Sequence, residues 1–581
     1  MKNIIQLLVV ILLFCACSES HKKQFKYSGG SLKMALNNQP TTYALRNVAD
    51  YYSATVLYQI SEGLVGIDPK TLNTIPKIAS KWSQSDDGKT YTFTIRKGVL
   101  FHEHEVFKSE EDRMLTTDDV LHSFNLACSK NENQTSPQSY KLVLKSLLKG
   151  AEEFHNGEAK TISGMRAEGE TITFELLNAD KNFLKKLANV YCFISSKKVY
   201  DGGFINDVVG TGPFEYSVFT DGDTPMLTLL KNTDYYEFDA DGNALPYIDS
   251  LVFAFQSRKM VQLEMFEDGT TDLITGLPTN RITRMIEGKI QDFNSKPPKL
   301  ILANNPLLQS HYYFFNMEDE RFKDPLVRKA FNYAIDKKSI GRDVLRNQYY
   351  DMGYYGITPP IAKVLKGYDF QSIKDVGYSY NPQLAKKLLE QAGYPNGEGF
   401  GTVELRYNIN DIKSAVADEF AKQIFKVLRI NVNIDGSDFE RLTQDATIGK
   451  GDIFSQGWAA DFPSPETFLM NYHSQFIPED STAPSSINKG KYRNYLFDKF
   501  YDEAVNSEKM SDQMDNFSKA EVELMKDPPI IPLWYAGDIQ ITQSYIRGLH
   551  FNALEFYDFK NVYIKEWTIE EYKENYNKTQ N

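Results

Sequence analysis

The sequence predicts a mixed α/β fold built from several domains, and three observations support it. At 581 residues, the chain is longer than one compact core normally accommodates, so two or three domains are expected. Hydrophobic residues make up 41% of the chain and aromatic residues 13%, which is typical of a folded globular protein. Strand and helix patterns occur together, with strands dominating before about residue 100. The residues alone therefore indicate an α/β or α+β assembly of several lobes.

Local patterns predict individual elements in chain order. The stretch S-D-D-G at 85–88 is typical of a turn, and residues 91–96 alternate apolar with polar side chains, which predicts a hairpin strand. Asp324 followed by Pro325 predicts a helix start, with Asp as the cap and Pro in the first turn. Asn381-Pro382 predicts a second helix start, and Gly393 predicts the end of that helix.

Residues 1–28 predict export and attachment to a membrane. Lys2 precedes an apolar run at 4–14 that is too short for a permanent membrane span and typical of a signal peptide. Ala16-Cys17 resembles a bacterial lipobox, which implies that residues 1–16 are removed, Cys17 is lipidated and the polar stretch 17–28 is a tether. An ordinary secretion signal with chance cysteines is the alternative interpretation.

Charge and cysteine content exclude some classes of protein. The net charge is −12 and no basic stripe occurs, so we expect no nucleic-acid partner. Only Cys128 and Cys192 follow Cys17. One disulfide between them is possible in an oxidising compartment, but their apolar neighbours favour two buried free thiols. No later apolar run is long enough to span a membrane.

Motifs for catalysis or metal binding are missing from the sequence. It contains no G-x-S-x-G nucleophile motif, no H-E-x-x-H zinc motif and no phosphate-binding loop. His102 and His104 could share one face of a strand, but no third metal ligand accompanies them. The stretch 239–243 fits a β-turn better than a calcium loop. We therefore expect a protein that is not an enzyme and holds no metal or cofactor.

A series of short segments carries a resemblance to a known family. The segments are 62–71, 76–96, 117–120, 210–214, 231–236, 245–249, 315–317, 324–336, 381–393 and 527–532. In this order they resemble the dipeptide- and oligopeptide-binding proteins of bacterial ABC importers, family 5 of the extracellular solute-binding proteins, in their lipoprotein form. Each segment is weak alone, but together they extend over nearly the whole mature chain.

The resemblance implies a two-lobed periplasmic-binding-protein-like fold with a small inserted domain and a hinge between the lobes. It also implies domain boundaries. The expected division is a discontinuous lobe I at 29–61, 205–275 and 535–581, an inserted lobe II at 62–204, and lobe III at 276–534.

The resemblance also implies a ligand site. In the family, a Trp followed three residues later by an Asp lies at the cleft, and here these are Trp458 and Asp461. Asp461 would bind the α-ammonium group of a peptide, because an amine removed from water needs an opposing charge. Trp458 would form an apolar wall or a face for the cation. The backbone at Ala459, and on another lobe near Tyr51, would pair with the extended peptide as an added strand.

Two features leave part of this site open. From its neighbours alone, Asp461 could equally be an acid that caps a turn. Ser455 and Gln456 stand where some oligopeptide binders carry an Arg, so the ligand carboxylate must be met elsewhere. Arg406 and Lys413 are candidates only because they lie nearby in the sequence.

The expected function is capture of short peptides outside the cytoplasm and their delivery to an ABC permease in the inner membrane. The protein would be monomeric and attached to a membrane through its lipid. An alternative keeps the fold but binds an oligosaccharide or a metal chelate, although a neutral sugar gives no reason for a carboxylate at 461. A lipoprotein outside the cytoplasm without a transport function is a third possibility.

Overall fold

The computed structural model describes residues 25–48, 50–130, 136–277, 282–480 and 483–580. The strands are β1 Ser31–Leu36, β2 Val65–Ile67, β3 Thr74–Pro76, β4 Ala79–Gln84, β5 Thr90–Ile95, β6 Met165–Glu168, β7 Thr171–Glu175, β8 Phe214–Thr220, β9 Met226–Lys231, β10 Ser250–Phe255, β11 Leu273–Thr275, β12 Leu300–Phe315, β13 Asp351–Met352, β14 Val403–Asn408, β15 Val432–Ser437, β16 Ile453–Ala459, β17 Ile530–Gln543, β18 Ile546–Arg547 and β19 Tyr563–Ile564.

Helices alternate with these strands along most of the chain. The longer ones are Tyr51–Ile60, Thr117–Cys128, Lys259–Glu267, Pro325–Ala334, Pro382–Gln391, Asp411–Leu428, Phe439–Thr447, Tyr495–Val505, Met510–Lys526 and Ile569–Gln580. The shorter ones are Glu110–Arg113, Ala151–His155, Phe183–Leu187, Lys197–Asp201, Ile282–Gly288, Ile290–Asn294, Glu320–Lys323, Lys337–Ser339, Phe370–Asp375 and Glu466–Leu469. The predicted mixed α/β class is confirmed.

One large mixed sheet runs through the molecule in the order β15-β14-β16-β12-β17-β11-β1-β10-β9-β8, and β13 pairs with β17. Its two long central strands, β12 and β17, are antiparallel partners. β12 carries β16 on its other side, whereas the C-terminal half of β17 pairs with β11 and so leads to β1. The β12–β17 register shifts between Pro306 and Ser310. Such an irregularity bends a strand pair locally, so the two halves of the sheet meet at this point.

The hydrophobic residues pack into several cores rather than one. Buried residues from 64 to 194 share a core with the four-stranded sheet β4-β5-β7-β6. A second core combines β1, β9 and β10 with buried residues from 546 to 562. Two further cores are built mainly from residues between 308 and 534. Several cores are what the length of the chain led us to expect, while the domain boundaries given above stay a prediction.

The local sequence signals produce the predicted elements. Asp324 Oδ1 accepts the amide of Leu326 at the start of Pro325–Ala334, and Asn381 Oδ1 accepts the amide of Leu384 at the start of Pro382–Gln391. Gly393 follows that helix with a φ of 93°, in the left-handed region that glycine adopts at low cost. The 85–88 turn joins β4 to β5 as expected.

Three other predictions concern cysteines, histidines and membrane spans. Cys128 and Cys192 are buried free thiols, as favoured, and burial raises the pKa of each to about 12. His102 and His104 lie outside the strands. His102 Nε2 lies 3.0 Å from the carbonyl oxygen of Gly212, and His104 Nε2 lies 3.0 Å from Asp207 Oδ2. Within the described residues, no helix has the length and apolar character needed to cross a membrane. The predicted signal peptide and Cys17 lie outside the described residues.

Candidate ligand-binding cleft

A cavity of about 370 Å³ lies where five parts of the chain meet. Its walls come from helix Tyr51–Ile60, from residues near β2, from the 185–193 segment, from 459–462 at the end of β16, and from 554–560 near the C-terminus. The predicted site residues Tyr51, Ala459 and Asp461 all line it, although more than 400 positions separate the first from the last. The fold therefore brings these three residues together.

The end of β16 positions Asp461. Ala460 donates its amide to the carbonyl of Leu308 at 2.8 Å, which holds the chain on β12 up to this point. The strand then ends, and the chain turns into the short helix Glu466–Leu469. Thr467 Oγ1 accepts the Asp461 amide at 3.3 Å and donates to Asp461 Oδ2 at 3.2 Å. These two bonds fix the carboxylate relative to its own backbone.

Among the described residues, the two side chains that donate to the Asp461 carboxylate both do so with hydroxyl groups. Besides Thr467, the Tyr191 hydroxyl donates to Asp461 Oδ1 at 3.1 Å. Within the described part of the chain, no lysine, arginine or histidine nitrogen lies within 4.0 Å of this carboxylate. Burial raises its pKa above the usual range, against the lowering effect of the two hydroxyl bonds. Asp461 is thus a largely desolvated acid without a basic partner, a state that an incoming cation would stabilise.

Two further partners of Asp461 come from the 185–193 segment, about 270 residues away. Asn189 donates its amide nitrogen Nδ2 to the Asp461 carbonyl at 3.2 Å, and its own Oδ1 caps the short turn that carries Tyr191. Burial, followed by the negative charge of Asp461, raises the pKa of Tyr191 well above its usual value. Its phenol therefore stays protonated and acts as a donor to Asp461.

One edge of β16 is unpaired beside the cavity. On one side, β12 pairs with all of β16, from Phe315↔Ile453 to Gln309↔Ala459. On the other side, β14 reaches only Ile453 and Phe454, and the described residues supply no strand beyond that. Hydrogen bonding alternates along an antiparallel pair. Because Ala460 bonds to β12, the amide and carbonyl of Ala459 point away from β12, towards the open edge.

Tyr51 lines the cavity from the first turn of its helix. Asp50 caps this helix by accepting the amides of Tyr52 and Ser53 at 3.0 and 2.9 Å. The carbonyl of Tyr51 accepts the Thr55 hydroxyl at 2.8 Å. The backbone of Tyr51 is therefore helical and cannot pair with a ligand as a strand does, so its side chain is the part that a ligand would meet.

Trp458 does not line the cavity, unlike the other three predicted residues. Its ring packs against a hydrophobic core, and its Nε1 lies 3.4 Å from Thr467 Oγ1. Successive side chains of a strand point to opposite faces, so the side chains of Trp458 and Ala459 lie on opposite faces of β16. Trp458 instead supports Thr467, which in turn holds Asp461.

Arg406 and Lys413 also lie away from the cavity. Arg406 is buried and forms ion pairs with Glu404, Asp435 and Asp445. Lys413 donates to Asn408. Their proximity in sequence to Trp458 therefore does not place them at the site, because their strand and helix pack on another part of the sheet.

Residues 73–478 match the family of bacterial extracellular solute-binding proteins, family 5, over its middle region. The chain belongs to this family. Two curated relatives cover nearly all of it. The oligopeptide-binding protein OppA of Bacillus subtilis is 24% identical over 579 residues, 96% of this chain and 98% of OppA. Heme-binding protein A of Haemophilus influenzae is 25% identical over 576 residues, 94% of this chain and 96% of that protein.

Solved structures of this class confirm the fold of the family 5 protein. The periplasmic binding protein DppA of Helicobacter pylori, in complex with the peptide STSA, has a TM-score of 0.74 at 23% identity. The match covers 93% of this chain and 99% of that one. The predicted two-lobed periplasmic-binding-protein fold with an inserted domain is thus confirmed, and the family 5 protein is a binding protein rather than an enzyme.

The cavity of the family 5 protein contains charged residues that the sequence analysis missed. Glu62 and Lys77 form an ion pair at 3.0 Å, and Lys77 also reaches Glu237 at 3.1 Å. Lys185 donates to the carbonyl of Pro463 at 3.1 Å. Glu555 lies on the C-terminal wall. Glu62 falls in one of the resembling segments, but no local pattern singles out Lys185 or Glu555, because their neighbours in space are far away in sequence.

Proposed function

We propose that this protein captures short peptides in the cleft, holds their free amino end with Asp461, and delivers them to an ABC permease. The observation that carries the proposal is the Asp461 carboxylate, which lines the cavity and has no basic partner among the described residues. An α-ammonium group supplies the missing charge, and a desolvated carboxylate binds it strongly because water no longer competes.

The open edge of β16 supports a peptide rather than another amine. A peptide laid beside Ala459 would exchange main-chain hydrogen bonds with it, whatever the ligand's side chains. OppA of Bacillus subtilis is an oligopeptide-binding protein, and the DppA structure is a complex with the peptide STSA. A heme would use neither an unpaired strand edge nor an amine-binding carboxylate, although one relative is named for heme.

The ligand carboxylate would be met by Lys185 instead of Arg406 or Lys413. Lys185 lines the cavity and contacts a carbonyl, and no carboxylate of the described residues lies within 4.0 Å of its Nζ. Burial lowers the pKa of Lys185, although the more distant charges of Glu466 and Asp180 oppose this. An anion of the ligand would stabilise its charged form.

Closure would occur where the long strands cross between the lobes. We place the hinge at the β12–β17 pair, near the register shift between Pro306 and Ser310. In the proposed division, lobe I contributes Tyr51 and Glu555, lobe II contributes Tyr191 and Lys185, and lobe III contributes Asp461. A ligand held by all three would favour the closed state over the open one.

The proposal is tested by thermal unfolding of the protein from residue 18 onward, which lacks Cys17, with short peptides and their N-acetylated forms. Free peptides should raise the melting temperature by mass action, whereas acetylated peptides, which carry no ammonium group, should have little effect. Hemin is the competing ligand to include. Equal stabilisation by both peptide forms would exclude the amine role of Asp461, and stabilisation by hemin alone would exclude peptide capture.

We also propose that Cys17 carries a lipid that holds the protein at a bacterial membrane, with the permease as its partner and the protein as a monomer. The experiment compares Cys17→Ser with Cys15→Ser in membrane fractions. Cys17→Ser should release the protein and abolish lipid labelling, and Cys15→Ser should not. Continued labelling of Cys17→Ser would contradict the assignment.

A further inference from the structure

A second acid on the cavity wall has no basic partner. Glu555 lines the same cavity as Asp461 but belongs to the C-terminal segment. Its carboxylate forms no ion pair with any lysine, arginine or histidine that the structure describes. Asp558, three residues later on the same wall, lies 3.4 Å from Lys560 Nζ. Asp558 therefore has a basic partner and Glu555 has none among the described residues. The Glu555 carboxylate is left available to a positively charged group of a ligand.

The surroundings of Glu555 add negative charge. The groups that act on it are Asp538 on β17, Lys259 on its helix, and the Tyr51 hydroxyl. Lys259 Nζ donates to Gln262 Oε1 at 2.9 Å and to the Thr275 carbonyl at 2.8 Å, so its contacts are to neutral oxygens. Two acids thus lie near one lysine, which forms no ion pair with any carboxylate of the described residues, so the surroundings of Glu555 carry more negative than positive charge.

The backbone holds Glu555 in an unfavourable conformation. Its φ is 57°, in the left-handed region that a residue with a Cβ seldom adopts. Asn552 builds the turn: its Oδ1 accepts the amide of Leu554, and its Nδ2 donates to the carbonyl of Phe556 at 2.6 Å. Glycine would fit this position without strain, so a glutamate here indicates that its side chain has a use.

We propose that Glu555 is a specificity residue that binds a basic side chain of the ligand, so that the cleft prefers peptides containing Lys or Arg. The inference rests on the peptide function proposed above and extends it. Asp461 takes the α-ammonium group and Glu555 takes a second positive charge. Tyr51 lines the same cavity as these two acids.

The ionisation of Glu555 gives the preference a pH dependence. Burial, with the negative charge of Asp538, raises the pKa of Glu555 to about 7, whereas the Tyr51 hydroxyl and Lys259 act in the opposite direction. In the empty cleft the carboxyl is therefore largely protonated below that pH. A bound cation lowers its pKa again, so binding of a basic peptide releases a proton below about pH 7 and none well above it.

The experiment is calorimetry of the protein from residue 18 onward with tripeptides in which Lys is compared with norleucine, and Arg with citrulline, at each position. At pH 8 we expect the charged member to bind on the order of tenfold more tightly at one position. At pH 6 the preference should shrink. Glu555→Gln should abolish it, and Asp558→Asn, the matched control, should retain it.

Glu555→Gly is a second variant that tests the proposal even if Glu555→Gln does not fold. Because glycine accepts the φ of 57°, this variant should melt at a higher temperature than the natural protein and still lose the preference. Equal affinity for charged and neutral peptides at every position, or a preference that survives both Glu555 variants, would overturn the inference. If free and acetylated peptides differ but Lys and norleucine do not, only the Glu555 proposal fails. If no peptide binds, both proposals fail.

Discussion

Glu62 and Asp461 are acids of one cavity, but their surroundings are opposite. Glu62 is buried, lies 3.0 Å from Lys77 and accepts the Tyr235 hydroxyl at 2.8 Å. Lys77 continues to Glu237, which in turn contacts Lys560 at 2.5 Å. The Asp461 carboxylate accepts the hydroxyl groups of Tyr191 and Thr467 and pairs with no basic side chain of the described residues. The first arrangement is complete without a ligand and the second is not. Paired charges of the cleft therefore stabilise the fold, whereas the unpaired Asp461 carboxylate is available to a ligand.

The pKa directions express the same difference. Burial opposes ionisation of Glu237, but the charges of Lys77 and Lys560 outweigh it and hold its pKa at about 2. Burial also opposes ionisation of Asp461, and there the hydroxyl bonds do not overcome it, so the pKa is raised. A carboxylate in a completed network thus becomes a stronger acid, and one that lacks a cation becomes a weaker acid.

The largest effect is expected from breaking the completed network with Lys77→Met. The substitution leaves the buried Glu62 and the half-buried Glu237 without the lysine that pairs with both. Removing one partner of a buried ion pair costs about 3–5 kcal/mol. We expect the free energy of unfolding, measured in urea, to fall by about this amount in Lys77→Met. Lys97→Met is the control, because its pair with Glu170 is exposed to solvent and should contribute little. Equal losses in the two variants would show that the network carries no special stability.

The second effect concerns the incomplete site, through Asp461→Ala. We expect this substitution to lower peptide affinity by about 3–5 kcal/mol, since it leaves a ligand ammonium unpaired in the cleft. The free energy of unfolding of the empty protein should not fall, because a desolvated acid without a cation is removed. Calorimetry and urea unfolding measure the two quantities. Unchanged affinity would contradict the site but leave the fold untouched.

A third prediction separates the two regions by pH. Protonation of Asp461 removes the charge that holds the ligand, so peptide affinity should fall about tenfold per pH unit below its raised pKa. Protonation of Asp461 has the opposite effect on the free energy of unfolding of the empty protein. An acid with a raised pKa binds its proton more readily in the folded state, so protonation favours folding. The contribution of Glu237 is kept above its unfolded pKa and lost only as the pH falls towards 2. As the pH is lowered, peptide affinity should therefore fall before the free energy of unfolding does. If both fall together over the same pH range, the distinction between Asp461 and the Lys77 network is wrong.

The smallest effect concerns the strand edge. Ala459→Pro removes an amide that points to the open edge of β16 and should lower peptide affinity by about 1 kcal/mol, the value of one hydrogen bond. Ala460→Pro is the matched control, because the Ala460 amide bonds to Leu308. It should instead lower the free energy of unfolding. If Ala459→Pro leaves the affinity for every peptide unchanged, the ligand does not pair with this strand.

Local elements of the fold could be predicted because their causes are local. The caps at Asp324 and Asn381 and the turn before Thr90 each act within a few residues. The overall architecture came from the resemblance, since pairing of β12 with β17 joins residues more than 200 positions apart. No periodicity in the sequence encodes such a pairing.

The site could be predicted in part for the same reason. Asp461 and Ala459 were found from a motif, and their neighbour Thr467 lies in the same stretch. Tyr191 was missed because it reaches Asp461 from 270 residues away. Arg406 was a candidate only because it lies near this stretch in the sequence. In the structure it lies on β14, beside the start of β16, and pairs with Asp445. Trp458 belongs to the same motif but does not line the cavity, because its ring packs against a hydrophobic core.

A double-mutant cycle shows directly whether Asp461 binds the ligand's amino group. Calorimetry would compare a free peptide with its N-acetylated form on the natural protein and on Asp461→Asn. Acetylation should cost the natural protein about 3 kcal/mol or more of binding free energy and cost Asp461→Asn almost nothing, so that the two changes are strongly coupled. An equal cost of acetylation on both proteins would contradict the account.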